Sequence, residues 1–124
     1  MVHAAAAGQR LNAASSLDGT FVALADPVRR GVIELLRRKP HQASELADAL
    51  SMSRPAMSRH LRVLRKSGLV SESEPEHDAR VRVYQLEPQR FAQLRSWLEE
   101  VEGFWGEQLT AFKQHAERRK GLKR

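Results

Sequence analysis

The chain has 124 residues, of which 41% are hydrophobic and 6% aromatic, and it carries a net charge of +6. This length predicts one domain with a mainly aliphatic core. Cysteine is absent, which excludes disulfides, thiol redox chemistry and thiolate metal sites. No apolar run reaches the roughly 18 residues that a membrane span needs, so we expect no membrane partner.

The positive charge is concentrated in parts of the chain. Residues 27–70 hold ten Lys or Arg against three Asp or Glu, whereas residues 71–87 hold two against five. Residues 113–124 hold six against one. Charge placed on particular elements indicates a polyanionic partner rather than a general aid to solubility.

The N-terminal segment, residues 1–16, is rich in alanine and contains one arginine. It lacks the apolar centre of a secretory signal and the arginine content of a transit peptide. We therefore predict a flexible tail and a cytoplasmic location. The rest of the chain is expected to form one domain over residues 17–117, followed by a basic C-terminal tail over residues 118–124.

Three short helices are predicted first. The first covers residues 17–25, with Phe21, Val22 and Leu24 as its apolar members. Asp26 and Pro27 then read as a cap and a first helical residue, which opens a second helix that ends near Arg38. Its buried stripe should consist of Val28, Val32, Ile33, Leu35 and Leu36. Ser44 begins the third helix, in which Leu46, Ala47 and Leu50 face inward.

The segment 53–68, SRPAMSRHLRVLRKSG, has the signals of both helix ends. Ser53 can cap the first turn, Pro55 is tolerated there, and Gly68 can supply a left-handed stop. At about 100° per residue, the residues of the inner face are Met57, His60, Leu61 and Leu64. The outer face holds Pro55, Ser58, Arg59, Arg62 and Lys66, with Arg54 and Arg65 at its margin. Two short helices with a tight turn, the second cationic outside, are typical of a helix-turn-helix that enters the major groove of DNA.

A β-hairpin is predicted after this helix. Residues 69–74 are one candidate strand, and residues 80–86, RVRVYQL, are the other because they alternate and are rich in Val and Tyr. The intervening loop would form the wing of a winged helix. Pro88 then begins a last helix that should end near Glu117. Its apolar band exceeds what a small core needs, and a second copy of the chain is the simplest partner for it.

Three segments in this order, LADPVRRGVIELL, SELADALSMSRPAMSRHLRVLRKSGLV and RVRVYQLEP, resemble the winged-helix repressors of the ArsR/SmtB family. The likeness spans about residues 21–112. It implies a mainly α fold with a small β-hairpin, and a homodimeric transcriptional regulator, usually a repressor, that binds an inverted-repeat DNA operator. It also implies a dimer interface between the first and last helices, for which the candidate residues are Phe21, Leu94, Leu98, Val101, Trp105 and Phe112.

The sequence departs from the metal-sensing members of that family. Their Cys-x-Cys pair, on the helix before the recognition helix, is matched here by Gln42, Ala43 and Ser44. Other members bind zinc with further ligands on the last helix, where this chain has only His115, followed by Arg118. We therefore predict no metal and no cofactor, and we leave any effector unassigned.

The predicted DNA-binding residues are Ser53, Arg54, Pro55, Ser58, Arg59, Arg62, Lys66, Arg80 and Arg82. Arg54 and Arg59 are the candidate base readers, because Arg can grip guanine with two parallel hydrogen bonds. Arg62 and Lys66 are expected to hold phosphates. In the wing, the arginines either touch DNA or pair with neighbouring acids, and the sequence leaves both open. His60 is expected to be packed and hydrogen-bonded rather than a ligand.

Two other classes of function compete with this interpretation. The chain has no Gly-rich phosphate loop and no His-x-x-x-His pair, so we predict no enzyme. The alternative is a basic winged helix that binds RNA or a protein partner without an operator. Specific RNA-binding surfaces commonly offer aromatic side chains for base stacking. The outer face of residues 53–66 has none, which favours duplex DNA.

Overall fold

The computed structural model describes residues 16–73 and 81–122, and this part of the chain holds five α-helices and two β-strands. The first four helices are α1 at residues 16–24, α2 at Pro27–Arg38, α3 at Ala43–Ala49 and α4 at Arg54–Lys66. Strands β1 (Val70–Ser73) and β2 (Val83–Leu86) follow, and α5 runs over Pro88–Leu122. The predicted tail up to residue 15 and the wing loop, with Arg80, lie outside the described residues. The predicted fold class, mainly α with a small β-hairpin, is confirmed.

Two compact units divide the chain, residues 1–92 and residues 93–124. The described part of the first unit contains an aliphatic core that draws on α1 to α4 and on β1. Partly buried side chains of β2 and of the first turn of α5 pack against it. The buried residues are Ala23, Val32, Leu36, Leu46, Ala47, Met57, Leu61, Leu64, Leu69 and Val70.

Capping residues set the starts of the short helices. Asp26 Oδ1 accepts hydrogen bonds from the backbone N–H of Val28 at 2.8 Å and of Arg29 at 3.1 Å, as its place before Pro27 predicts. Helix α3 begins one residue before the predicted Ser44. There the carboxylate of Glu45 accepts a bond from the backbone N–H of Gln42 at 3.0 Å, so the helix start is stabilised from within.

The buried residues of α1 are not its large apolar residues. Phe21 is 41% exposed and Val22 is 63% exposed, whereas Thr20 and Ala23 are fully buried. Thr20 can be buried because its hydroxyl donates a hydrogen bond to the carbonyl of Ser16 at 3.1 Å. Part of the aromatic ring of Phe21 therefore lies at the surface of the chain.

The hairpin is antiparallel, with Val70 opposite Leu86 and Glu72 opposite Tyr84. The other edge of β2 forms a single-residue bridge in which His41 and Tyr84 exchange both backbone hydrogen bonds, at 3.1 and 2.8 Å. This bridge ties the connection between α2 and α3 to the hairpin. Sequence patterning does not predict it, because one residue is too short to show a strand period.

Helix α5 continues to Leu122, five residues beyond its predicted end at Glu117. Residues 118–122 of the predicted basic C-terminal tail are therefore helical. The described part of the second unit is this helix alone, and it carries a series of exposed apolar side chains. Within residues 16–73 and 81–122, no helix combines the length and hydropathy that crossing a bilayer requires.

Candidate DNA interface

Helix α4 has a well-defined start and end. The hydroxyl of Ser53 accepts a hydrogen bond from the backbone N–H of Ala56 at 3.2 Å, and Pro55 lies in the first turn. Beyond the last turn, Gly68 has a φ of +80°. A Cβ added at Gly68 would lie 3.0 Å from Nε of Arg90, so both backbone angle and space favour glycine here. These features confirm the predicted helix ends.

The inner face of α4 fixes its rotation. Met57 and Leu61 are each 1% exposed and Leu64 is fully buried, so the three anchor the helix to the core. His60 shares this face and is partly buried. Its Nδ1 lies 3.4 Å from Nη1 of Arg29 and 4.0 Å from Oδ1 of Asp26. The expectation that His60 is packed and hydrogen-bonded is confirmed.

The outer face of α4 presents the predicted cations to solvent. The exposed residues are Ser53, Arg54, Pro55, Ser58, Arg59, Arg62 and Lys66. Among the described residues, no carboxylate forms an ion pair with Arg54, Arg59, Arg62 or Lys66. These four charges are therefore available to a polyanion. Arg65 and Lys66 in the last turn also suit the negative end of the helix dipole.

A tight turn joins α3 to α4. Ser51 adopts a left-handed φ of 52°, and the backbone N–H of Met52 bonds the carbonyl of Ala47 at 2.9 Å. Met52 packs against the core and so anchors the turn to it. Two short helices held this way form the predicted helix-turn-helix, with α4 as its exposed second helix.

A three-residue ion-pair cluster joins α4 to the hairpin. Glu72 on β1 forms two ion pairs. Its Oε2 lies 3.0 Å from Nη1 of Arg65, and its Oε1 lies 3.2 Å from Nη1 of Arg82. The side chain of Glu72 is 14% exposed, whereas those of Arg65 and Arg82 are 53% and 64% exposed. For Arg82, the structure therefore realises the predicted alternative of pairing with an acid. Its contact with DNA stays a prediction.

Tyr84 lies beside this cluster, and the charges of the cluster affect the pKa of its phenol. Burial raises the pKa of Tyr84, and the negative charge of Glu72 raises it further, whereas Arg65 lowers it. The phenol is thus neutral at physiological pH, and the cluster comprises one carboxylate and two guanidiniums. Its net charge is positive, which suits a surface near DNA.

An open groove of about 610 Å³ lies between the second half of α4 and β1. It is lined by Arg62, Arg65, Lys66, Val70, Ser71 and Glu72. Three of these six residues are cationic, so the groove can hold an anionic group such as a phosphate.

No metal centre emerges among the described residues, where no group of three His, Cys, Asp or Glu side chains could hold an ion. His115 is exposed on α5. The sequence offers Glu72 as one of several acids that could pair with Arg82, but it does not predict the pairing of Glu72 with Arg65, which it leaves at the margin of the cationic face. Glu72 reaches Arg65 because the strand register places Glu72 opposite Tyr84. The residue pattern of α4 does not show this register.

The known proteins that this chain resembles are bacterial transcriptional regulators. A sequence model described as "Bacterial regulatory protein, arsR family" matches residues 26–72, which include α2, α3 and α4. The chain is 40% identical over 99 residues to the HTH-type transcriptional regulator Rv2034 of Mycobacterium tuberculosis, covering 80% of this chain and 87% of that protein. It is 30% identical over 56 residues to the transcriptional repressor SdpR of Bacillus subtilis, covering 45% of this chain and 62% of that protein.

A solved structure has the same fold. The ArsR-like transcriptional regulator from Rhodococcus sp. RHA1 superposes with a TM-score of 0.72 at 30% sequence identity. The match covers 86% of this chain and 95% of that one.

Proposed function

This chain belongs to the ArsR family of bacterial regulatory proteins and is a DNA-binding transcriptional regulator, and on that premise we propose that it is a repressor that binds an inverted-repeat operator as a homodimer. The observation that carries the proposal is the outer face of α4. Its cations are exposed, and within the described residues four of them lack an acidic partner, while the opposite face is locked into the core. A rigid cationic helix of this kind fits the major groove.

Within α4 we assign two kinds of DNA contact. Arg54 and Arg59 lie in the first half of the helix, where recognition helices touch base edges, and guanidinium groups can grip guanine bidentately. Arg62 and Lys66 lie further along and line the cationic groove, so they are assigned to phosphates. Ser53, Pro55 and Ser58 complete the proposed contact surface, and Arg80 and Arg82 of the wing are proposed at its edge.

The dimer proposal is supported by exposed apolar surface. Trp105 is 60% exposed and Phe112 is 72% exposed on α5, and Phe21 is 41% exposed on α1. Large exposed aromatic side chains usually mark an interaction surface, and a twofold dimer can bury one such patch on each copy. The proposed interface residues are Phe21, Leu94, Leu98, Val101, Trp105 and Phe112. In such a dimer, the two α4 helices would enter half-sites about one turn of DNA apart.

Repression is supported by the relative that is named a transcriptional repressor. A dimer seated on an operator within a promoter would block RNA polymerase from the same DNA. We propose a role in binding alone, without enzymatic activity, and a cytoplasmic location, because the DNA of a bacterial cell lies in its cytoplasm. An effector, metal or cofactor does not form part of the proposal.

Competition binding tests this function. Labelled DNA from upstream of the protein's own gene is bound, then challenged with the same DNA, with unrelated duplex DNA and with RNA. We expect the upstream DNA to compete at least about a thousandfold better than unrelated duplex, and the affinity to fall steeply with salt. Equal competition by all three would instead favour a basic module without an operator. A footprint would then locate the two half-sites.

A further inference from the structure

The carboxylate of Glu72 joins α4 to the start of β2. Glu72 places one oxygen 3.0 Å from Arg65 on α4 and the other 3.2 Å from Arg82, one residue before β2. Each guanidinium uses a single nitrogen in these contacts, and both side chains stay more than half exposed. Arg65 also hydrogen-bonds the phenol of Tyr84, and the N–H groups left over on each guanidinium are able to donate elsewhere, since a guanidinium has five.

The carboxylate also brings two like charges to neighbouring positions. Without it, two guanidiniums this close would repel each other and turn apart. The shared oxygen acceptors hold them at a spacing set by one small, largely buried group. Because β1 is paired with β2 in a fixed register, the backbone position of Glu72 is fixed relative to β2.

Two solvent-filled grooves flank the cluster. Arg65 and Glu72 line both of them: the groove of about 610 Å³ that also holds Arg62 and Lys66, and a second of about 220 Å³ that also holds Ser73 and Arg82. Arg65 thus lines both grooves, and Arg82 lines the smaller one. Successive phosphates along a DNA strand are regularly spaced, so a fixed spacing between two donors can match them.

We propose that Glu72 is a positioning residue that sets the spacing of Arg65 and Arg82, so that α4 and the paired strands bind two phosphates of the same duplex as one rigid unit. This inference rests on the proposed function. It assigns Arg65, which the sequence left at the margin, to the DNA backbone. It also gives an acid within a DNA-binding surface a favourable role, although its charge alone repels DNA.

Two substitutions separate position from charge. Glu72→Asp keeps the negative charge but withdraws the oxygens by one methylene, so it cannot reach both arginines. Glu72→Gln removes the charge and replaces one acceptor oxygen with a donor. If Glu72 mattered only through its charge, Glu72→Asp would behave as wild type and Glu72→Gln would bind every DNA more tightly. If it positions the arginines, both variants bind every duplex more weakly, because phosphate contacts carry no sequence information.

The measurement is the affinity of each variant for two duplexes and its dependence on salt. One duplex is the sequence that the wild-type protein selects from a random pool, and the other is a scrambled duplex of equal composition. We expect the affinity for both duplexes to fall about three- to tenfold in both Glu72 variants, and the slope of log affinity against log salt to shrink by about one, because one charge-assisted phosphate contact is misplaced. Glu34→Gln, which breaks the exposed ion pair with Arg37 on α2, is the matched control and should leave the affinity and the slope unchanged.

Folding and coupling are checked separately. Thermal unfolding confirms that each variant is fully folded at the binding temperature, so a lower affinity cannot arise from unfolded protein. In an Arg82→Ala background, Glu72→Asp should lower the affinity by less than it does in the wild type. Unchanged affinities in both Glu72 variants, or an undiminished effect in the Arg82→Ala background, would overturn the inference and leave the proposed function standing. A wild-type protein that selects no sequence would overturn the proposed function itself.

Discussion

The guanidinium of Arg29 lies 3.4 Å from the imidazole Nδ1 of His60 and so connects α2 to the inner face of α4. The same guanidinium donates hydrogen bonds to the carbonyls of Ala23 at 2.7 Å and Val22 at 3.0 Å, at the end of α1. One side chain therefore caps α1 and touches α4. Helices proposed to bind a second copy and to bind DNA meet at this arginine.

Arg29→Ala should lower the free energy of unfolding by about 1–3 kcal/mol, because it leaves backbone carbonyls at the end of α1 without their charged donor. Chemical denaturation measures the change. Arg30→Ala is the matched control, since Arg30 is exposed and donates one bond, to the carbonyl of Leu24 at 2.8 Å. Equal effects of the two substitutions would contradict the role assigned to Arg29.

Asp26 gives a pH dependence whose sign follows from its pKa. The backbone N–H of Arg29 and that of Val28 hold the pKa of the Asp26 carboxyl below its ordinary value, with help from the positive charge of Arg29 and from His60. A lowered folded pKa means that the stabilisation is present above the unfolded pKa and is lost as pH falls through the folded pKa. Asp26→Ala should therefore be less stable than wild type at pH 7, and the difference should shrink in acid.

Denaturation curves recorded between neutral and strongly acidic pH test this. Asp26→Asn is the control, because an amide oxygen can cap the helix without titrating. It should keep most of the stability at neutral pH and lose the acid-dependent part. A gap between Asp26→Ala and wild type that stays constant down to acid pH would contradict the assignment.

Arg54→Ala and Arg59→Ala test base reading. Each should cost about 1–3 kcal/mol of operator binding and relax sequence preference at one position of each half-site. Both side chains are exposed, so stability should be unaffected. Binding to a set of single-base operator variants measures the preference. Arg37→Ala on α2 removes an equal charge and is the control. If an Arg54 or Arg59 variant weakens every sequence by the same factor, that residue holds phosphate instead.

The helices and the cationic surface could be predicted because their signals are local. Asp26 before Pro27, Ser53 before Pro55, and Gly68 after Lys66 each encode a helix end within a few residues. The three- and four-residue spacing of Met57, Leu61 and Leu64 then fixes which face of α4 is exposed. These conclusions need no information about contacts between residues that are far apart in the sequence.

Other features depend on pairing between distant segments. Glu72 meets Arg65 and Arg82 only because the hairpin register places it opposite Tyr84. The bridge from His41 to Tyr84 likewise joins residues far apart in the chain. The burial of Thr20 depends on a hydroxyl bond to the carbonyl of Ser16 that composition does not reveal. Such long-range and polar details need the folded structure.

Lys66→Ala tests the phosphate assignment. The substitution should weaken binding to all duplexes alike, and it should reduce the slope of log affinity against log salt by about one, because one phosphate is no longer neutralised. Titrations at several salt concentrations give the slope. Lys39→Ala, at the end of α2 and outside the predicted contact surface, should leave the slope unchanged. An unchanged slope for Lys66→Ala would remove Lys66 from the phosphate-binding residues.

Trp105→Glu tests the dimer. Trp105 is 60% exposed in the single chain, so the substitution should leave each copy folded. In a dimer it would bury an unpaired charge, which should cost about 3 kcal/mol or more, or roughly a hundredfold in dissociation constant. Sedimentation velocity over a concentration series measures this. Gln114→Glu, on the opposite side of α5 by helical spacing, adds the same charge and should leave assembly intact. Equal dissociation of the two variants would point to net charge rather than a seam through Trp105, and a Trp105→Glu protein that stays dimeric would place the interface elsewhere.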